Sequence, residues 1–324
     1  MATYYDIFGQ KVQYLSSDPA NLTEGQVWYN STSNTAKLQS VTTAGVWATG
    51  GNVGTARTTL TGAGSQTANV IFAGQLNNPP FADQSLVEEY NGTSWTEVNN
   101  YPIAVGNLSG LGTQTAALGF GGYPNVSVSN EYDGTNWTST GSLNTARELL
   151  SSNIGIQTAG LAAAGFIRPS SPTTATEEYN GSTWTTVTGC NTSLYGRCGS
   201  GTQTAGLISG GQNGGTNNAT EEYNGSTWTT GNNRPYSAGT AMGSGTQTAA
   251  LHYGGNPASP LTTTASYDGT NWTTETSMSV AKAMGGGCGA GTSGAALASG
   301  GSASGATEEF TGAGAAETRT ITTS

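Results

Sequence analysis

The stretch Gly243–Trp272, GSGTQTAALHYGGNPASPLTTTASYDGTNW, decides the fold. It carries three marks: a Gln-Thr-Ala run leading to Gly254-Gly255, then Tyr267, then Trp272 five residues later. The marks recur. Trp95, Trp137, Trp184, Trp228 and Trp272 each follow an aromatic mark, Trp47 stands ahead of the first full unit, and Ala315 holds the Trp position of the sixth. Successive Trp residues lie 48, 42, 47, 44 and 44 positions apart. A period of that size means a repeat architecture in which each unit buries its neighbour's face.

Each unit reads as four short strands. In the first, Ala56–Thr61 leads through an expected turn at Gly62-Ala63-Gly64 into Gln66–Ala73, which alternates with period two. A loop then reaches Leu86–Tyr90, and Asn91-Gly92 turns the chain into Trp95–Val98. Asn-Gly and Asp-Gly supply the positive φ that tight hairpins need, and they return at Asp133, Asn180, Asn224 and Asp268. Gly, Thr, Ser and Asn dominate without a sustained 3.6 period, which argues against helix. The expected fold is all-β, a six-bladed β-propeller of four-stranded antiparallel blades with an N-terminal β-hairpin extension. Small residues in the first two strands suit converging blades, and Tyr and Trp fill the wider outer wedge.

A Gly doublet followed by spaced Tyr and Trp resembles the kelch repeat. The matches are Gly121-Gly122/Tyr132/Trp137, Gly210-Gly211/Tyr223/Trp228 and Gly254-Gly255/Tyr267/Trp272, with departures at Ala73-Gly74, Ala164-Gly165 and Phe310. Arg57, Arg147 and Lys282 also match a basic residue ahead of the first strand, which the second unit lacks. The resemblance spans about Val46 to Phe310 and implies fold rather than activity.

The 324 residues divide into a module at 1–44 and the repeats at 45–324. Only 9% of residues are charged, and the net charge of −10 disfavours nucleic-acid phosphates and anionic lipid. Glu88-Glu89, Glu177-Glu178, Glu221-Glu222 and Glu308-Glu309, each just ahead of a unit's aromatic mark, are expected to form a solvated outer rim. No signal peptide is legible in MATYYDIFGQ, and no apolar run is long enough to span a membrane. Cys190, Cys198 and Cys288 set no disulfide framework; buried thiols are expected, with a Cys190–Cys198 pair as the alternative. Glu24–Gln39 reads as a hairpin around Asn30–Asn34. This segment is similar to short modules near the start of tailed-bacteriophage tail and fibre proteins, which implies a virion structural protein, located in the virion and attached to other virion proteins through residues 1–44. Either Val46–Thr49 or Glu317–Ser324 supplies the last strand of the sixth unit, with Val46–Thr49 preferred.

The turns within strand pairs are near-identical among units, whereas the connections from second to third strand, and from one unit to the next, differ. Variation frees those loops to specialise. They offer Phe81, Tyr101, Tyr123, Arg168, Tyr195, Arg197, Arg234 and Tyr236 as a ligand or partner face, aromatic and arginine side chains being enriched where proteins bind. A host-surface glycan is a candidate partner; packed loop aromatics and solvated arginines are the plainer reading. No cofactor, metal or catalytic set is legible. The single histidine, His252, replaces Ile71, Gly119, Ala162 and Ile208 of other units and is expected in the interior. YDGTNW lacks the spacing of the sialidase Asp-box, and the glutamates repeat in units that cannot all be active sites. No phosphate loop, nucleophile elbow or HExxH occurs. The expectation is a non-enzymatic interaction protein, with glycan recognition as the alternative and glycan processing as the least favoured.

Overall fold

The computed structural model describes residues 12–20, 25–41, 44–76, 81–169, 171–256, 259–287, 289, 291–302, 304–313 and 316–321. Cys288 and Ala315 lie outside them. No helix occurs among the described residues. The chain divides into two compact units, Met1–Gly45 with Gly312–Ser324, and Val46–Thr311. In the first, Val27–Asn30 and Thr35–Val41 form the hairpin expected around Asn30–Asn34, with Gln13–Leu15 parallel to one edge. Buried Trp28 donates its indole N–H to Asp18 Oδ1 at 2.9 Å, and Lys37 Nζ lies 2.6 Å from Asp18 Oδ2. Hydrogen bonds from Lys37, Asn30 and Trp28 hold the Asp18 carboxyl down at about 2. The C-terminal strand Ala316–Ile321 pairs with Thr35–Val41. It therefore belongs with this unit and not with the repeats, where residues up to 324 were expected, because its ladder bonds are all made here.

The second unit is a series of antiparallel sheets of the kind from which a β-propeller is built. The first repeat pairs Thr61–Gly64, Asn69–Phe72, Val87–Tyr90 and Trp95–Val98 in that order, and the next four repeats follow the same order. The sixth sheet joins Ala295–Ser299, Thr307–Thr311 and Val46–Gly50, with Trp47 opposite Phe310. Of the two strands weighed from sequence, the N-terminal one takes this place.

The glycines expected to turn the first strand into the second instead lie inside the first strand. The turn falls at Ser65–Ala68, where Ser65 N–H donates to Ala68 O at 2.8 Å. Close approach between repeats explains the correction: a Cβ on Gly62 would meet Gly287 O of the sixth repeat at 2.6 Å. Small residues here serve packing, and the turn chemistry sits in Gln66-Thr67. The hairpins after Tyr90, Tyr132, Tyr179, Tyr223 and Tyr267 behave as read. Asn91, Asp133, Asn180, Asn224 and Asp268 each accept the N–H groups two and three residues on.

Three kinds of side-chain link recur at the junctions between successive repeats. Gln114 donates to Asn69 O and Tyr90 O at 3.0 and 2.8 Å. Gln157, Gln203 and Gln247 repeat the contact on their predecessors, and Gln66 reaches Phe310 O of the sixth repeat at 2.7 Å. Tyr132, Tyr179, Tyr223 and Tyr267 donate their hydroxyls to Glu89, Glu131, Glu178 and Glu222, and Tyr90 donates to Glu309 of the sixth. Trp95, Trp184, Trp272 and Trp47 donate to Thr307, Ser129, Thr220 and Thr264. Trp137 and Trp228 meet no such acceptor; for Trp137 the matching residue of the first repeat is Val87.

These contacts overturn the solvated glutamate rim. Strand alternation sends the two glutamates of each doublet to opposite faces. The second accepts the tyrosine of the next repeat. The first is buried: Glu88, Glu177, Glu221 and Glu308 each take two loop N–H groups, as Glu177 does from Asn144 and Thr145 at 2.6 and 3.2 Å. Arg57, Arg147 and Arg197 pair with the first three, and Lys282 lies by the fourth. In the second and fifth repeats Asn130 and Ala265 replace the buried acid, and Val105 and Ala238 stand in place of a base. The buried acid is thus accompanied by a base wherever it occurs, as the cost of leaving it alone requires, whereas Arg234 of the fifth repeat is buried against backbone carbonyls instead.

Candidate functional site

Six equivalent residues, one per repeat, stand in the left-handed region just ahead of the first strand: Thr59, Asn107, Leu149, Gly196, Thr240 and Met284. Backbone bonds link them in sequence, with Asn107 N–H on Thr59 O at 3.0 Å, Leu149 on Asn107 at 3.0 Å and Gly196 on Leu149 at 2.8 Å, continuing through Thr240 to Met284. They ring a cavity of about 60 Å³, which reaches Asn153. The third repeat has one more residue between this ring and its first strand than its neighbours do. The extra residue bends the chain so that Asn153, at φ 68°, donates through Nδ2 to Gly243 O of the fifth repeat at 3.2 Å. This space suits a few waters rather than a substrate.

The eight loop residues divide evenly. Four are turned inward, Tyr101, Arg197 and Arg234 buried and Tyr236 half-buried. Tyr101 is buried, stacked 5.6 Å from Phe72, and receives Asn130 Nδ2 on its hydroxyl at 3.0 Å. Arg197 is the buried partner of Glu221. Arg234 is only 1% exposed; its Nη2 donates to Ala238 O at 2.8 Å, and its guanidinium lies 4.1 Å over the Tyr236 ring. Tyr236 donates to His252 O at 3.2 Å, and burial pushes its phenol up to about 12. For the two arginines the reason is shared: loops that leave a sheet still need their carbonyls satisfied, and a long side chain tucked beneath them does so.

Of the other four, Phe81, Tyr123 and Arg168 are exposed and Tyr195 is half-buried. Phe81 is 53% exposed. Tyr123, 39% exposed, carries the Arg168 guanidinium 4.6 Å above its ring centroid. Phe166 lies 5.9 Å from the same guanidinium and packs edge-on against Tyr195 at 5.0 Å. The second, third and fourth repeats thus place Tyr123, Arg168 and Tyr195 in one cluster.

Three residues that the sequence reading passed over position this cluster. Glu148, fully buried, sets Oε1 2.8 Å from Arg168 Nε and takes Asn107 Nδ2 on Oε2 at 3.3 Å. Asn125 clamps the Arg168 backbone from both sides, accepting its N–H at 2.9 Å and donating to its carbonyl at 3.2 Å. Phe166 exchanges backbone bonds with Glu148. Glu148 carried a signal: the same position holds Thr58, Gly106, Tyr195, Gly239 and Ala283 in the other repeats, so it is the one acid there.

His252 lies in the interior, as expected. Its Nε2 is 3.1 Å from Ser200 Oγ and its Nδ1 2.6 Å from Ser209 Oγ, and its ring tilts over Trp272 at 5.1 Å. Burial, with Arg234 nearby, holds its pKa well below the ordinary value. Cys190 and Cys198 are free and buried, so the alternative of a bond between them falls; burial raises both thiols, Cys190 to about 11. Among the described residues, no group of His, Cys, Asp and Glu is placed to hold a metal ion. No protein-family model matches the chain, and no curated protein matches it.

Proposed function

We propose that the repeats form a closed, six-bladed, kelch-like propeller that works as a non-enzymatic interaction platform in a tailed-phage particle. Residues 1–44 attach it to other virion proteins. The observation that carries the closed ring is the set of contacts from the first repeat to the sixth: Gln66 on Phe310 O, Tyr90 on Glu309 and Trp95 on Thr307. They repeat the links between consecutive repeats. The platform role rests on a division of labour, since the invariant side chains are spent on junctions and the variable loops are free to differ. The particle rests on the likeness of the N-terminal segment to phage tail and fibre modules. Buried Trp28, bonded to Asp18 with Lys37 beside it, gives that segment a core of its own.

Fractionating source particles, with the chain followed by mass spectrometry, tests this. Fixed stoichiometry in intact virions is the expected result, and recovery only as free protein overturns it. The Tyr123–Arg168 cluster favours a second reading on the same scaffold, recognition of a host-surface glycan.

A further inference from the structure

We propose that the Tyr123–Arg168 cluster is a recognition site for the carboxylate of an acidic saccharide. Arg168 is the ligand-binding group, Tyr123 and Phe166 are the aromatic ground beside it, and Glu148 is the positioning residue. The proposal takes the variable loops as a binding surface, but it does not require the particle role.

Glu148 is the observation that sets this cluster apart. Every other buried acid ahead of an aromatic mark is matched inside its own repeat pattern. Glu148 is a further buried carboxylate, found in one repeat, and its ion-pair partner is 44% exposed and comes from the next loop. Nothing in the repeat explains a buried acid there: the equivalent Thr58, Gly106, Tyr195, Gly239 and Ala283 fill the position without one. Its effect is local. Its Oε1 lies 2.8 Å from Arg168 Nε and holds the guanidinium by charge, while Asn125 fixes the backbone that carries it. Tyr123 covers one face. Neither Nη nitrogen meets an acceptor among the described residues, so the outer edge of the fork remains, with its parallel N–H groups. That edge matches a carboxylate in bidentate fashion and has been oriented in advance, which lowers the cost of binding.

Charge narrows the ligand. Glu148 neutralises Arg168, and the chain as a whole carries −10, so a polyanion gains nothing by long-range attraction. Recognition depends instead on contact geometry with a single acid group. The neighbouring rings of Tyr123, Phe166 and Tyr195 suit the apolar face of a sugar attached to it. The site therefore prefers an acidic sugar, such as a uronic or sialic acid residue, over an extended charged chain.

The test titrates the intact chain with methyl glycosides of glucuronic, galacturonic and N-acetylneuraminic acid, each beside its own methyl ester. The readout is ligand-observed NMR. At least one acid should bind about tenfold or more tightly than its ester, a gap of about 1.4 kcal/mol. Raising salt from 50 to 300 mM should change that affinity less than about threefold, as a neutral pair requires. Tyr123→Ala, at an exposed ring, should weaken binding about fivefold to tenfold. Arg168→Gln alone would leave Glu148 buried and unpaired, so the double variant Glu148→Gln/Arg168→Gln is used, and it should abolish the preference for acid over ester. Equal binding of acids and esters, or binding of none, overturns the proposal. So does an acetate or poly-glutamate competitor that matches the sugar acid, since the first points to any small anion and the second to a protein partner. Particle association is read separately, so a chain found in virions that fails these titrations keeps the particle role and loses this site.

Discussion

Five junctions between repeats carry the Gln and Tyr links; the junction of the fifth with the sixth carries neither. Ser293 stands where the glutamine would be, Phe310 replaces the tyrosine, and Ser266 replaces the glutamate that tyrosine would meet. Donor and acceptor are absent together, so no buried carboxylate is left waiting. This junction keeps the Trp47 bond to Thr264 but is otherwise built mainly from apolar side chains. Met242, Leu251, Tyr253 and Met278 pack on Ala296, Leu297, Ala298 and Phe310, with Trp47 edge-on to Tyr253 at 5.1 Å. The difference teaches that polar links set the register between repeats, while burial holds them together. Where the sixth sheet borrows its outer strand from residues 46–50, register is already set by that pairing.

The sharpest way to break the comparison is Tyr253→Ala. It empties a fully buried site in the apolar junction and removes the hydroxyl bond to Leu297 O. A loss of about 3–5 kcal/mol is expected by denaturant titration. A loss below about 1 kcal/mol would mean that this junction does not depend on burial. At a linked junction, Tyr223→Phe removes only the bond to Glu178 and should cost about 1–2 kcal/mol. Pairing it with Glu178→Gln in a double-mutant cycle isolates that link, and a coupling near zero would deny it any part in register.

Alkali titrates all five tyrosine links at once. Burial, then the neighbouring carboxylate, pushes the Tyr90 phenol up to about 12, and the other four are pushed upward as well. A phenol with a raised folded value lends stability that is complete below its unfolded value of about 10 and is lost as pH climbs toward 12. Lys282 acts the other way. Burial lowers it to about 8 from 10.5, so the unfolded chain binds the extra proton and stability rises with pH across that window. Melting temperature should thus hold or rise slightly from pH 8 to 10 and then fall steeply. A flat profile above pH 10 would show that the links contribute nothing. The smallest effect belongs to a graft, Ser266→Glu with Phe310→Tyr, which installs the missing link and should add about 0.5–1 kcal/mol. A destabilised graft would show that the junction excludes polar groups altogether.

Much of this was legible because the chain repeats itself. Tyr and Trp five residues apart, Asn-Gly and Asp-Gly after the third strand, and the hairpin at Asn30–Asn34 all fell where local chemistry put them. Three misreadings share a cause. Gly62 looked like a turn because glycine serves turns, but here it serves contact with Gly287 of another repeat. Glu88 looked solvated because glutamate usually is, but a loop's N–H groups and Arg57 receive it. Arg197 and Arg234 looked available because loops are exposed, but each is folded under its own loop. Gly62, Glu88 and Arg197 depend on residues far apart in the sequence, which a local pattern does not carry, and Arg234 on a fold of its own loop that its residue types do not announce. Tyr123 and Arg168 were picked out singly as candidates; that they meet, with Glu148 beneath, needed the juxtaposition of two repeats.

The sixth sheet has a consequence in time. Trp47 leaves the ribosome long before Phe310, the residue it faces. At about 5–20 residues per second, translation keeps that strand waiting for roughly 10–50 s. Throughout that interval its edge has no mate, and the same residues in another nascent chain present the same vacant partner position. Two chains made on one message can exchange their first strands during that interval, so the speed at which the last repeat emerges bears on the fidelity of this protein.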